Sequence, residues 1–147
     1  WYQGNGSIEV IPDTDFNAAS DPDRSVILYG NSATNSAWKM VLSDSPVQVT
    51  KGSIIAGSKT FAGSDLACMC IRPRAGSATA YVGFVSGTGI RGMKLTTRLP
   101  YMNPGIGLPD CTILNQEILN KGDEGVLMTG FFGPDWSIDN GEFVPNP

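Results

Sequence analysis

The residues whose types and spacing could support chemistry lie in two short turns, each following an apolar run. Residues 87–92 have the form G-x-G-x-x-G and follow the apolar run 80–85, as in a dinucleotide-binding fingerprint. The candidate ligand-binding residues are Asn31, Ser32, Thr34 and Asn35 in the first turn and Ser86, Gly87, Thr88 and Gly89 in the second. Because amides and hydroxyls at a helix start bind anions, the turns predict a site for a nucleotide, a flavin or another anion.

A structural role explains the same residues, and we favour it. The fingerprint requires an acid about 20 residues further on, at the end of the next strand. Here Asp110 precedes the next apolar run, and prolines and glycines break the segment 99–109. With 18 glycines in 147 residues, such a match also arises by chance. Tight packing at the glycines and helix capping at the asparagines are the alternative.

Most catalytic chemistry is excluded by the absence of histidine from the chain. Ser-His-Asp triads, Cys-His pairs and histidine-based metal sites all require it. The acidic stretch at Asp13, Asp15 and Asn17 resembles the start of a calcium loop. Ala18 and Arg24 then stand where such a loop needs glycine and glutamate. We therefore predict no catalytic residue, no metal and no cofactor within this chain.

The chain has three cysteines, Cys68, Cys70 and Cys111. Cys68 and Cys70 are two residues apart in a probable strand, so they share one face and are poorly placed to bridge each other. Buried free thiols are the interpretation that we favour, and the sequence leaves their redox state open.

Bulk composition predicts one domain and argues against two classes of partner. The 147 residues carry a net charge of −4, and no basic cluster is evident along the chain. Nucleic acid and anionic membrane are therefore unexpected partners. The chain starts at Trp1 without a methionine, and we interpret residues 1–147 as a single domain from the C-terminal part of a longer polypeptide.

The pattern of apolar runs predicts an α/β class, as a small layered domain. Runs at 26–29, 66–71, 80–85, 111–114 and 125–133 are expected strands, with helices at 34–42 and after Gly89. Continuously apolar strands are typical of a sheet covered on both faces, so we expect a mostly parallel (mixed), Rossmann/flavodoxin-like sheet. Lys51-Gly52 predicts a β-hairpin excursion, residues 7–11 an edge strand, and residues 139–147 a tail. A mainly β sandwich is the alternative.

Several segments together resemble one known family, and the resemblance extends over most of the chain. They are residues 24–38, 65–68, 71–74, 82–109 and 130–136, the last being Gly-Phe-Phe-Gly-Pro-Asp-Trp. They are similar to the C-terminal region of large secreted bacterial proteins described as prolyl-oligopeptidase-like α/β-hydrolases. The resemblance implies a non-catalytic accessory domain, located in the periplasm or secreted, whose partner is the preceding hydrolase domain of the same polypeptide. It carries over no catalytic residue.

A third hypothesis is carbohydrate binding by exposed aromatic side chains. The candidates are Trp1, Tyr2, Tyr101 and Trp136. Core or interdomain packing is the alternative role for these rings, and we favour it.

Overall fold

A computed structural model describes residues 8–99 and 107–145 of the chain. In chain order the strands are β1 (Val26–Tyr29), β2 (Val47–Thr50), β3 (Ser53–Ala56), β4 (Lys59–Ala62), β5 (Ala67–Pro73), β6 (Tyr81–Gly87), β7 (Cys111–Leu114), β8 (Val126–Phe131) and β9 (Glu142–Pro145), and the helices are α1 (Trp38–Val41), α2 (Ile90–Thr96) and α3 (Ile118–Lys121). Six strands form a main sheet in the order β1-β6-β5-β7-β8-β9, and β2-β3-β4 form a second sheet.

The predicted Rossmann/flavodoxin-like α/β fold with a mostly parallel sheet is wrong. Of the described residues, 34% are strand and 17% are helix. In the main sheet only β1 and β6 are parallel, whereas the other four pairings are antiparallel. Each parallel pairing requires a crossover connection, usually a helix. Here α1 has four residues and α2 has seven, so the chain returns by turns and forms a β-rich architecture closer to the mainly β alternative.

Two local predictions about the sheets are confirmed. The expected strands at 26–29 and 80–85 are present as β1 and β6, and the structure places them side by side with Val26 opposite Val82 in a parallel register. Strands β2 and β3 form the expected antiparallel hairpin, and Gly52 has a φ of +83° in its turn. Strand β4 then pairs antiparallel with β3 and completes the second sheet.

The main core lies between one face of the main sheet and the layer made by α1 and the second sheet. Trp38 of α1 packs on Phe84 of β6 with ring centroids 4.8 Å apart. Its indole Nε1 donates to Gln48 Oε1 at 2.9 Å, so the buried polar group is satisfied. The fully buried side chains of this core include Leu42, Val47, Val49, Ile54, Ile113 and Met128. Helix α2 packs on the opposite face, where Leu95 meets Ala67 and Leu114.

Other differences from the predictions lie at the ends of elements. Among the described residues 8–11 there is no strand, although an edge strand was expected. Residues 31–37 form turns, so the expected helix 34–42 is reduced to Trp38–Val41. The expected tail contains strand β9, which pairs with β8. Within the described ranges no helix is long and apolar enough to cross a membrane.

Candidate functional site

The structure brings the two predicted turns together at the adjoining ends of β1 and β6. Asn31, in the first turn, donates from Nδ2 to the carbonyl oxygen of Gly87 at 2.8 Å, and this bond is buried. The two strands run parallel, so both turns emerge at the same edge of the sheet. The candidate ligand-binding residues of both turns are therefore neighbours in space.

The polar groups of the first turn bind to the chain itself. Asn31 Oδ1 accepts from the backbone N–H of Ala33, and Thr34 Oγ1 accepts from the N–H of Asn31, both at 3.0 Å. Asn35 connects the turn to the backbone on either side of it. Its Nδ2 donates to the Tyr29 carbonyl oxygen and its Oδ1 accepts from the Ala37 N–H, both at 3.0 Å. These bonds form local Asx-type turns, so the side chains direct the backbone.

The glycines of the second turn lie in close contact with neighbouring backbone. A Cβ at Gly87 would lie 2.6 Å from the carbonyl carbon of Gly92, and one at Gly92 would lie 2.6 Å from that of Leu66. A Cβ at Gly89 would meet the carbonyl oxygen of Ser64 at 2.5 Å. The pattern G-x-G-x-x-G thus lets α2 pack directly on the backbone near Leu66, where a side chain would not fit.

The second sheet and its hairpin turn contact both of the predicted turns. Ser32 N–H donates to the Val49 carbonyl oxygen at 3.0 Å, and Gly52 N–H donates to that of Thr88 at 2.9 Å. Thr88 Oγ1 also accepts from the Leu66 N–H at 3.1 Å. These contacts give the turn residues an architectural role. A ligand-binding role for them stays a prediction.

Ser86 differs from Asn31, Thr34, Asn35 and Thr88 in the bonding of its side chain. It is fully buried, and its Oγ has no hydrogen-bond partner in the described part of the chain. In the register of β5 and β6, Ser86 is opposite Cys68, so its hydroxyl faces the same core as that thiol. Because a buried unpaired hydroxyl costs free energy, this position is locally unfavourable.

The three cysteines form one buried cluster on the core face of the main sheet. Cys68 and Cys70 are on β5, and Cys111 is on the neighbouring β7. Burial raises the pKa of the Cys68 and Cys70 thiols well above their usual range. Hydrogen bonds, first from Cys68 and then from Cys70, lower the pKa of the Cys111 thiol, and burial opposes them. In residues 8–99 and 107–145, no group of three or more His, Cys, Asp or Glu side chains could hold a metal ion.

The second face of the main sheet carries an open apolar surface, which we call the open face. It consists of Ile27, Tyr29, Ile71 and Tyr81, each 46–50% exposed. Ile27 and Ile71 flank Gly83, and together they line a shallow depression of about 270 Å³ whose wall includes Leu108. This surface was not expected from the sequence, because continuous apolar runs predict strands that are covered on both faces.

A groove lined by basic side chains is a second surface feature that was not expected from the sequence. Arg91, Lys94 and Arg98 line one groove of about 340 Å³ between α2 and the α3 region, together with Leu119. Their spacing of three and four residues places them on one side of a helix. That spacing is the signal that the sequence offered. The three basic residues are not adjacent along the chain, so no basic cluster was expected there.

The aromatic candidates for carbohydrate binding divide into two groups. Trp1, Tyr2 and Tyr101 lie outside the described residues. Trp136 is half-buried and packs against Phe132, with ring centroids 6.1 Å apart. Comparisons of the chain with protein-family models, with curated proteins and with solved structures found no match.

Proposed function

We propose that this chain is a non-catalytic accessory domain that packs through its open face on the preceding domain of a secreted serine hydrolase of the prolyl-oligopeptidase-like type. The observation that carries the proposal is the open face itself. Ile27, Tyr29, Ile71 and Tyr81 expose about half of their surface on adjacent strands. Contiguous exposed apolar side chains of this kind mark interaction sites in soluble proteins.

The composition of the open face suits an interface between domains. Tyrosine is enriched at the centre of protein interfaces, and isoleucine contributes apolar area. Each square ångström of apolar surface removed from water contributes about 25 cal/mol. The flat strands β1, β5 and β6 hold the four side chains in place, so packing against them costs little conformational entropy.

The proposal assigns catalysis to the preceding domain because of the side chains that this chain contains. A serine nucleophile needs a general base, and the chain contains no histidine to act as one. The preceding domain would therefore contribute the nucleophile, the base and the substrate pocket. The sequence resemblance implies that this domain belongs to the same polypeptide and that the whole protein is periplasmic or secreted.

Hydroxyl-radical footprinting tests the proposed interface directly. The oxidation rates of Tyr29 and Tyr81 are compared between the full-length polypeptide and residues 1–147 alone. We expect both tyrosines to be protected severalfold in the full-length protein. Met40 of α1, which is 55% exposed and lies away from the open face, is the internal control and should react equally in both samples. Equal reactivity of the two tyrosines in both samples would exclude the interface.

A matched pair of variants tests whether the open face couples the two domains. Ile71→Ser removes an apolar side chain from the open face, and Ile55→Ser removes one from β3 in the second sheet. The two side chains are 46% and 43% exposed, so both substitutions should cost this domain similar, small stability. In the full-length protein we expect only Ile71→Ser to separate the unfolding transitions of the two domains in calorimetry. Equal effects of both variants would count against the proposal.

A second candidate function is the binding of a small anion, and the basic groove favours it. Arg91, Lys94 and Arg98 place three cations around one depression. Thermal unfolding with millimolar ATP or FMN is the test, because a ligand that binds only the folded state raises Tm. A rise that Lys94→Ser removes indicates the groove, whereas one that Thr34→Ala removes indicates the predicted turns. If neither nucleotide raises Tm, this candidate is rejected.

A further inference from the structure

We propose that Cys70 and Cys111 are the site of a cross-strand disulfide that forms when the reduced chain folds in the presence of a disulfide oxidant. The inference rests on the register of β5 and β7 and does not depend on the proposed function. Cys70 is directly opposite Cys111 in this antiparallel pairing. Both side chains point into the same buried core.

The type of strand pair decides whether the two thiols can bond. Ile71 N–H donates to the Asp110 carbonyl oxygen at 2.8 Å, so Ile71 and Asp110 form a hydrogen-bonded pair. The adjacent pair, Cys70 and Cys111, is therefore of the non-hydrogen-bonded type, whose Cα atoms are about 4.5 Å apart. A disulfide requires a Cα separation of roughly 4.4–6.8 Å, and this pair falls within that range.

The other two pairings of the three thiols are less favourable. Cys68 is opposite Ile113, so it is diagonal to Cys111, and diagonal neighbours are about 7–8 Å apart. Cys68 and Cys70 are two positions apart on one extended strand, which separates their Cα atoms by about 6.8 Å and points their Cβ atoms in the same direction. The geometry thus favours Cys70–Cys111 and leaves Cys68 as the third, free thiol.

The reaction balances with oxidised glutathione as the oxidant. The Cys111 thiolate attacks one sulfur of oxidised glutathione, forms a mixed disulfide and releases one glutathione thiolate. The Cys70 thiolate then attacks Cys111 Sγ and releases the second glutathione thiolate. The protein loses two protons and two electrons, and glutathione takes up the electrons.

Burial determines when this reaction takes place. Cys111 is fully buried and Cys70 is 5% exposed, so glutathione does not reach either sulfur once β5 and β7 have paired. We therefore expect oxidation while the chain folds, followed by protection of the finished disulfide from reductants in the folded protein.

The positions of the methionines allow the disulfide to be assigned by chemical cleavage. Cyanogen bromide cuts after Met40, Met69, Met93, Met102 and Met128, so it separates Cys68, Cys70 and Cys111 into fragments 41–69, 70–93 and 103–128. The reduced, denatured chain is refolded with oxidised and reduced glutathione. It is then unfolded in guanidinium chloride that contains N-ethylmaleimide, so that buried free thiols also react, and is cleaved. We expect one blocked thiol per chain and a linked pair of fragments 70–93 and 103–128 in the mass spectrum.

The outcomes separate the proposal from its alternatives. Three blocked thiols, or a link that involves fragment 41–69, would overturn it. Cys68→Ser provides a second measurement, because this variant keeps both proposed partners. We expect it to refold with no blocked thiol and with the same two fragments linked. If Cys68→Ser refolds with two blocked thiols, the proposal fails.

Discussion

Substitution of Gly92 by alanine distinguishes a packing motif from a ligand-binding loop. Gly92 is the last glycine of the pattern G-x-G-x-x-G and lies inside α2. In a phosphate-binding loop, this change would affect the ligand more than the fold. In the structure described here, the helix contacts the backbone of Asp65 and Leu66 at this position. We therefore expect Gly92→Ala to destabilise the folded chain itself.

The size of the effect follows from the contact distances. The new Cβ would lie 2.6 Å from the Leu66 carbonyl carbon and 3.1 Å from the Asp65 carbonyl carbon, where ordinary contacts are 3.4 Å or more. A backbone obstacle does not rotate away, so we take the upper end of the overpacking cost, about 3 kcal/mol. Alanine recovers about 1 kcal/mol of helix propensity relative to glycine. The expected net loss is about 2 kcal/mol, which lowers Tm by about 7 °C in a chain of this size.

Gly107→Ala is the matched control for this experiment. In the part of the chain that the structure describes, no atom lies within 4 Å of a Cβ at Gly107, and its φ is outside the left-handed region. The control substitution should leave stability unchanged or raise it by a few tenths of a kcal/mol. Both variants are unfolded in urea, and the midpoints are compared at equal m-value. Equal stability of Gly92→Ala and the wild-type chain would refute the packing interpretation.

Three further predictions concern bonds elsewhere in the chain. Arg74→Lys should cost about 3 kcal/mol in urea unfolding, because the buried guanidinium donates to three backbone carbonyl oxygens and a lysine does not reach all of them. The Ser36 hydroxyl lowers the pKa of the Asp13 carboxyl from its ordinary value of 3.8, so Ser36→Ala should raise that pKa in an NMR titration. The stability that this bond contributes is present above pH 3.8 and is lost as the pH falls through the lower pKa that Asp13 has in the folded chain. Oxidation of Cys70 and Cys111, which closes a 41-residue loop (111 − 70), should stabilise the chain by up to about 4 kcal/mol, measured as the difference between reduced and oxidised samples in urea.

The positions of the main strands could be predicted from the sequence, but their directions could not. Short apolar runs correctly located β1, β6 and β7 to within two residues. An apolar run has the same composition whether its neighbour runs parallel or antiparallel, and the direction depends on the connection. The predicted connections were helices, but the asparagines at 31 and 35 bind nearby backbone groups and replace much of the first helix by turns.

The features that were not expected from the sequence are those whose sequence patterns are weak or are spread over separated positions. Strand β9 is Glu-Phe-Val-Pro, a four-residue segment with a weak apolar pattern inside the expected tail, and its proline is of the kind tolerated at a sheet edge. The basic groove depends on helical spacing of Arg91, Lys94 and Arg98. The opposition of Cys70 and Cys111 depends on the register between β5 and β7, which no local pattern specifies.

The distribution of polar and apolar groups in this chain favours the proposed contact role over ligand binding by the predicted turns. The residues that suggested a ligand site, such as Asn31 and Thr88, form hydrogen bonds that hold the turns to neighbouring backbone. Large apolar side chains such as Ile71 and Tyr81 instead face outward from rigid strands. A site for a small polar ligand needs free polar groups that converge on a cavity, and the predicted turns do not offer that arrangement. For this reason the proposed interface on the open face, and not the glycine-rich turn, is the first place to test.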